Sequence, residues 1–327
     1  MDGEKMRRVV LAMIGLTAVI AAVFCSYSSA FGKPAAHHIP VAVAAPPAVL
    51  AKLETSPALR VYQVRDLAVA RSMVEDRTVY GGLVIARTGR ATLVVANGGG
   101  HAVEAVLVQL GQQAAGTALS TVDVAPTSPG DPNGLVEFYC VVFLGIGAAV
   151  GATMLARTLG PVPHLRGALK RLGLMMMHTA LLSAAITLFT DVVYGALAGH
   201  FWFLFLTLWL YVVAVCLAIS GIAELAGPLA SIALIGLFIA FGNTSSGGAV
   251  PRPLLDGFFS ALNPVLPQGA ALSALRGVQY FGDRGIGTGL LCLTIWAAAG
   301  LVLLGVAGLR ASHHRPAVIG APAMATT

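Results

Sequence analysis

Residues 172–223 read LGLMMMHTALLSAAITLFTDVVYGALAGHFWFLFLTLWLYVVAVCLAISGIA, and Asp191 is the only formal charge among these 52 residues. A helix crosses a bilayer core with about 20 apolar residues. The stretch is too long for one crossing and suits two. Gly195, Gly199 and His200 form the natural break, because clustered glycines favour a turn over a continued helix. The reading is a pair of membrane-spanning helices joined by a short uncharged turn.

Working outward, the same character recurs along the chain. Hydrophobic residues make up 57% of the 327 and charged residues only 10%, with a mean hydropathy of +0.83. An ordinary soluble domain carries roughly 25% charged residues, so this composition cannot clothe a soluble fold of this size. Four further apolar runs are read as spans: 9–31, 135–156, 225–242 and 285–309. The run 225–242 is set off by Glu224, Gly227 and Pro228, and Glu224 is read as a solvated turn residue. The run 9–31 follows Lys5, Arg7 and Arg8 and resembles a signal peptide. It is long for the apolar core of one, and Phe24 before Cys25 is a poor lipoprotein site, so it is read as an uncleaved anchor. The total is six transmembrane helices.

The net charge of +6 could suggest nucleic-acid binding in a soluble protein. Here the basic residues flank apolar runs, so they speak of orientation instead. Lys5, Arg7 and Arg8 precede the first span. Arg157, Arg166, Lys170 and Arg171 fill the loop between the second and third. Arg310 and Arg315 follow the last. With six spans all three groups fall on one side, which predicts a multi-pass protein of the cell membrane with both termini cytoplasmic. Residues 1–32 are then the N-terminus and first span, and 312–327 an Ala- and Pro-rich disordered cytoplasmic tail.

Segment 33–133 is the one polar stretch long enough to fold by itself, and it falls outside the cytoplasm. Its start, 34–58, is Pro- and Ala-rich and reads as an extended linker. Then come a strand at 59–64 and a helix at 67–77, with Asp66 as its N-cap. Strands follow at 79–87 and 91–96, with a turn at Thr88-Gly89-Arg90, then a helix at 101–115 and a strand at 119–124. The order β-α-β-β-α-β fits a small split-βαβ sandwich. The loop Asn97-Gly98-Gly99-Gly100 precedes a helix but lacks any Gly-Lys-Ser/Thr continuation, so it is read as a plain strand-to-helix turn rather than a phosphate loop. Cys25, Cys140, Cys216 and Cys292 all lie in apolar runs and form no disulfide or zinc spacing. No Ser-His or His-Glu-x-x-His arrangement occurs on the helices. The expectation is no enzyme, no cofactor and no metal.

Within 134–311, a five-helix membrane domain, an outer loop at 243–284 is rich in Gly and Pro. It is semi-apolar and too interrupted to span. Short amphipathic helices at the interface or a re-entrant dip are predicted for it, and Leu254, Leu255, Phe258, Phe259 and Leu262 fall at helical spacing on one face. It could form a lid on the bundle, a gate at its outer mouth, or both.

Three features together resemble the type-2 ABC transporter permease superfamily, and within it the phage-infection-protein-like branch. The first is one helix, an outer domain, then five helices. The second is the text Tyr80-Gly-Gly-Leu-Val-Ile-Ala followed by Ala91-Thr-Leu-Val-Val-Ala-Asn-Gly-Gly-Gly. The third is Gly242-Asn-Thr-Ser-Ser-Gly-Gly-Ala-Val-Pro with Asn263-Pro-Val-Leu-Pro-Gln-Gly-Ala and Ala274-Leu-Arg-Gly downstream. The resemblance implies a permease subunit, usually a homodimer or heterodimer, working with a separate cytoplasmic ATPase to export a hydrophobic or envelope-related cargo. It supplies no catalytic residues. The outer domain is short beside the larger members of the branch, so no role of their long ectodomains carries over.

Ionisable residues inside spans are functional candidates by default. Glu137 and Asp191 lie toward the outer ends of their helices, where each could face water or a shared cavity. With Asn243, Asn263 and Arg276 of the resembling blocks, they form the candidate translocation or gating set. Gly147 and Gly151 on the second span form a Gly-xxx-Gly pair for close helix packing, within one bundle or between protomers. His178 is read as a local packing residue, Trp202 as an interfacial anchor and Trp209 as packing. Two other functions remain open: a non-transporting envelope scaffold that displays the outer domain, and a proton-coupled transporter using Glu137 or Asp191.

Overall fold

A computed structural model describes residues 3–32, 34–86, 89–115, 119–162 and 164–313. The tail from 314 onward lies outside the described residues, as does Thr88 of the expected turn.

Helix α1, Gly3–Phe31, leads into a five-stranded sheet. Its elements are β1 Ile39–Ala44, α2 Pro47–Glu54, β2 Leu59–Gln63, α3 Leu67–Glu75, β3 Gly81–Ile85, β4 Ala91–Val95, α4 His101–Ala115 and β5 Leu119–Asp123. Asp66 caps α3 as expected, its Oδ1 accepting from Val69 N at 2.9 Å. The strands lie in the order β2-β1-β3-β4-β5. β1 is parallel to both β2 and β3, β3 antiparallel to β4, and β4 parallel to β5.

The linker expected at 34–58 is a correction. Residues 39–44 form a central strand and 47–54 a helix. Composition misleads here because Pro40 sits second in the strand, where a missing N–H costs little. Ile39, Val41, Ala42 and Val43 are buried on both faces, as strands of parallel pairs are. The split-βαβ pairing also gives way: β2 is pushed to the edge, and β1 takes the place beside β3. One face of the sheet builds a core around Val41, Leu83, Leu93 and Leu107, the other around Ala42, Ala70, Val74 and Val94.

The helical part contains α5 Val136–Leu159, α6 Leu165–Thr187, α7 Phe201–Leu237, α8 Asn243–Ser245, α9 Gly257–Leu262, α10 Pro267–Tyr280 and α11 Gly287–His313. Helix α6 runs on through a π-turn to Val193, and α7 through another into α8. Five stretches are long and apolar enough to cross a membrane: Val9–Phe31, Val136–Leu159, Leu165–Val193, Phe201–Ser245 and Gly287–Ser312. The chain is a multi-pass helical membrane protein with a small sheet domain.

The 45-residue stretch Phe201–Ser245 is not one rod. At Gly227 the backbone takes φ 83° and ψ 179°, a conformation that favours glycine, and Pro228 follows. Val215 and Ile219 before the break line one small cavity together with Ile235, Phe238 and Ile239 beyond it. On an unbroken helix Val215 and Phe238 would stand about 35 Å apart, at 1.5 Å per residue. The two arms therefore fold back on each other. The reversal lies at the end of the bundle far from the sheet.

At that far end Glu224 is not solvated, which corrects the expectation. Its carboxylate pairs with Arg171, which is 2% exposed, and accepts from Val162 N at 2.9 Å. Arg171 also donates to the Gly160 carbonyl. Burial of both groups is tolerated because each has charged or backbone partners.

The loop 243–284 contains no single amphipathic helix over 254–262. Leu254 ends a 3-10 turn, Leu255 is extended, and α9 starts only after Asp256. Asp256 caps that helix through Phe258 N. Leu254, Leu255 and Phe259 are buried against the sheet-domain core, whereas Phe258 is exposed. The main element of this loop is α10, which begins at Pro267 and packs among α5, α7 and α11.

Candidate functional site: a polar seam between sheet and bundle

Helix α10 carries one polar side toward the seam where the sheet domain meets the bundle. Arg276, 6% exposed, gathers three separate segments there. Its Nη1 donates to the Gly247 carbonyl at 2.9 Å and the Gly99 carbonyl at 3.4 Å. Its Nη2 donates to the carbonyls of Gly134 and Gly248, both at 3.4 Å. One side chain thus ties the turn after β4, the start of α5 and the turn after α8. The Asn97–Gly99 turn, read as plain, is a docking element: Gly98 lies so close to Tyr280 that a Cβ there would overlap the ring.

Arg77 reaches the same place from the end of α3. Its Nη1 donates to the carbonyls of Ser273 at 2.9 Å and Arg284 at 3.2 Å, and its Nη2 to Ser273 Oγ at 3.0 Å. Its guanidinium also lies 5.1 Å from the centre of the Phe281 ring. Burial pulls the Arg77 guanidinium below the usual arginine range, with repulsion from Arg276 adding to it and Tyr80 opposing it. Burial pushes the Tyr80 phenol up, while Arg252, Arg77 and Arg276 together pull it back. Tyr80 therefore stands amid three guanidiniums. All four residues line a cavity of about 340 Å³, with Asn263, Ser273 and Phe281 among its other walls.

Of the candidate residues, Asn263 and Arg276 meet at this cavity. Asn263 Nδ2 donates to the carbonyls of Ser245 and Ser246 at 2.8 and 2.9 Å, so it holds the α9–α10 corner against the turn after α8. Glu137 lies beneath, on the first turn of α5, and is fully buried. Its carboxyl makes no hydrogen bond of good geometry; its polar neighbours are the Tyr280 hydroxyl and, further off, the Arg276 charge. Burial first, then Glu137, pushes the Tyr280 phenol up. Asn243 is buried and lines the smaller cavity with Gln268.

Asp191 does not join this group. Its Oδ1 accepts from Gly199 N at 2.8 Å and staples the turn 195–200. Gly147 and Gly151 pack within the chain against α6: a Cβ at Gly147 would strike Leu182, and one at Gly151 the His178 ring. His178 Nε2 lies 3.3 Å from the Gly147 carbonyl. Trp209 donates to Thr179 Oγ1 at 3.1 Å, and Trp202 is exposed. Of the cysteines, Cys140 and Cys216 are buried and Cys25 is exposed.

Arg77 and Ser273 were not singled out by sequence, and Gln268 only as part of a resembling block. Tyr80 and Arg252 lie in or beside the resembling blocks, but only as text. A hydrogen bond between residues 196 apart leaves no local signal. The fold and seam define a class: a multi-pass helical membrane protein with an α/β domain clamped onto its bundle by the buried Arg276 and the half-buried Arg77. Comparison with family models, curated proteins and solved structures gave no match.

Proposed function

We propose that the chain is the membrane permease subunit of an exporter, moving a hydrophobic or envelope-related cargo with a separate cytoplasmic ATPase. Glu137 is the observation that carries this. A fully buried carboxyl on a candidate span, faced only by the Tyr280 hydroxyl and the Arg276 charge, is expensive in a membrane. Such groups mark cargo and ion pathways. In this reading the two arms of α7 each cross the bilayer, making six spans in the cell membrane. The sheet domain lies outside, and the end bearing Arg157, Arg166, Lys170 and Arg310 faces the cytoplasm, in keeping with the positive-inside rule. Arg157, Arg166 and Lys170 are exposed and offer the ATPase a basic docking loop. The permease works as a dimer, and α1, most of whose described side chains are exposed, faces lipid and the second protomer.

A proton-coupled transporter is the second reading, favoured by the same buried carboxyl. It would rest on Glu137 alone, because Asp191 is engaged in its turn. A freely displayed scaffold is disfavoured by the clamps Arg77–Ser273 and Arg276–Gly99. Affinity purification of the tagged protein from its native membrane, followed by mass spectrometry, tests the choice. A stoichiometric ATPase is expected. Its reproducible absence across detergents and nanodiscs would overturn the ABC reading, and transport driven by a pH gradient alone would install the second.

A further inference from the structure

The geometry points to a binding site for a phosphate-type anion in the cavity between the sheet domain and α10, held by Arg77, Arg252 and Arg276 with Tyr80 beside them. This goes beyond the permease reading. It holds equally for a scaffold, and its failure would leave that reading untouched.

Size is the first support. At about 340 Å³ the cavity falls in the range of small-molecule sites, about 300–1,000 Å³. Charge is the second. Three guanidiniums line one space, and among the described residues no carboxylate lies within ion-pair distance of any of them. Asp76 also lines the cavity, but it is half exposed and is paired with Arg284 at 3.5 Å. Glu137 does not line the cavity; its charge offsets part of that of Arg276 and leaves Arg77 and Arg252 without a carboxylate partner. Like charges gathered around a partly dry space are costly without a counter-charge. An anion placed between them would supply it.

Free donors are the third support. Arg77 and Arg276 are held in place by carbonyls, so their orientation is set before a ligand arrives. Arg252 is exposed and donates only through Nε, to the Ser260 carbonyl at 3.2 Å. Its two terminal nitrogens meet no protein acceptor among the described residues. The Tyr80 hydroxyl likewise has none. A guanidinium fork matches phosphate oxygens two at a time, and three cations suit a phosphate group of about one to two negative charges, diester or monoester.

Gly285 and Thr288 also line the cavity, the latter on the first turn of α11. The site thus borders the start of a candidate span, within reach of both lipid head groups and soluble anions. The shared chemistry is the phosphate group, and the experiment separates its sources.

The full chain is reconstituted in phosphatidylcholine nanodiscs and titrated with inorganic phosphate, against chloride at equal ionic strength. A parallel series replaces part of the lipid with phosphatidylglycerol. The unfolding midpoint is the readout, since a ligand of the native state raises it saturably. A rise with inorganic phosphate identifies a soluble anion, and a rise with phosphatidylglycerol alone identifies a lipid head group. Arg252→Gln removes an exposed side chain and should weaken the response about tenfold or more, as expected for a charged hydrogen bond. Tyr80→Phe keeps the ring and should weaken it less. No rise with either anion overturns the proposal, and so does a rise that both variants leave unchanged.

Discussion

Arg171 and Arg276 are both withdrawn from solvent, at opposite ends of one helical bundle, yet their partners differ in kind. Arg171 ends on the carboxylate of Glu224 and the Gly160 carbonyl. Arg276 ends on four carbonyls, and the nearby Glu137 acts on it only at a distance, without a direct ion pair. The far end closes its charge locally and so fixes the reversal at Gly227 and the chain at Gly160 and Val162. The sheet end holds its charge open, with more cation than anion around a cavity. A closed pair suits a structural lock; an open one suits a site that meets something from outside.

The comparison breaks first, and most severely, at the lock. Glu224→Gln leaves Arg171 without its carboxylate and should cost about 3–5 kcal/mol, the usual penalty for removing one partner of a buried pair. The unfolding midpoint in detergent would fall sharply. Replacing both residues with methionine should recover most of the loss. A single variant as stable as the parent would show that the pair locks nothing.

A smaller effect is expected midway along the bundle. Gly151→Leu drives a side chain into the His178 ring and should cost about 1–3 kcal/mol by overpacking, read by the same midpoint. An unchanged midpoint with altered oligomer size would instead move this glycine pair to an interface between protomers.

The smallest change sharpens the contrast. Glu137→Gln swaps a buried carboxyl that has no direct ion pair for a neutral amide that is cheaper to bury. Its midpoint should move by under about 1 kcal/mol, or rise, while cargo transport is lost. The two acidic substitutions, chemically identical, should thus differ by several kcal/mol. A large stability loss from Glu137→Gln would make that residue structural and remove the observation on which the permease reading stands.

Much of the architecture was legible locally. Asp66 as a helix cap, the strands near 59–63, 81–85 and 91–95, and the helix 101–115 all follow from short-range periodicity and capping chemistry. So does the break near Gly227, since glycine followed by proline ends a helix wherever it stands. β1 was missed because alanine and proline read as a linker until two neighbouring strands bury them. Glu224 was misjudged because a carboxylate is read as solvated unless its cation is known, and Arg171 lies 53 residues away. Glu137, Asn263 and Arg276 were named from the text of the chain, but Asp191, named with them, serves a turn.

The sequence by itself determined that long apolar runs must leave water and that one polar stretch must fold between them, because hydropathy and helix length act over a single turn-to-turn neighbourhood. Only the tertiary structure decided that Arg77, Arg252 and Arg276 share one cavity, and which buried charge is paired and which is not. Those facts depend on where distant segments come to rest. Electrostatic energy in a partly dry interior is set by that spacing, not by order along the chain.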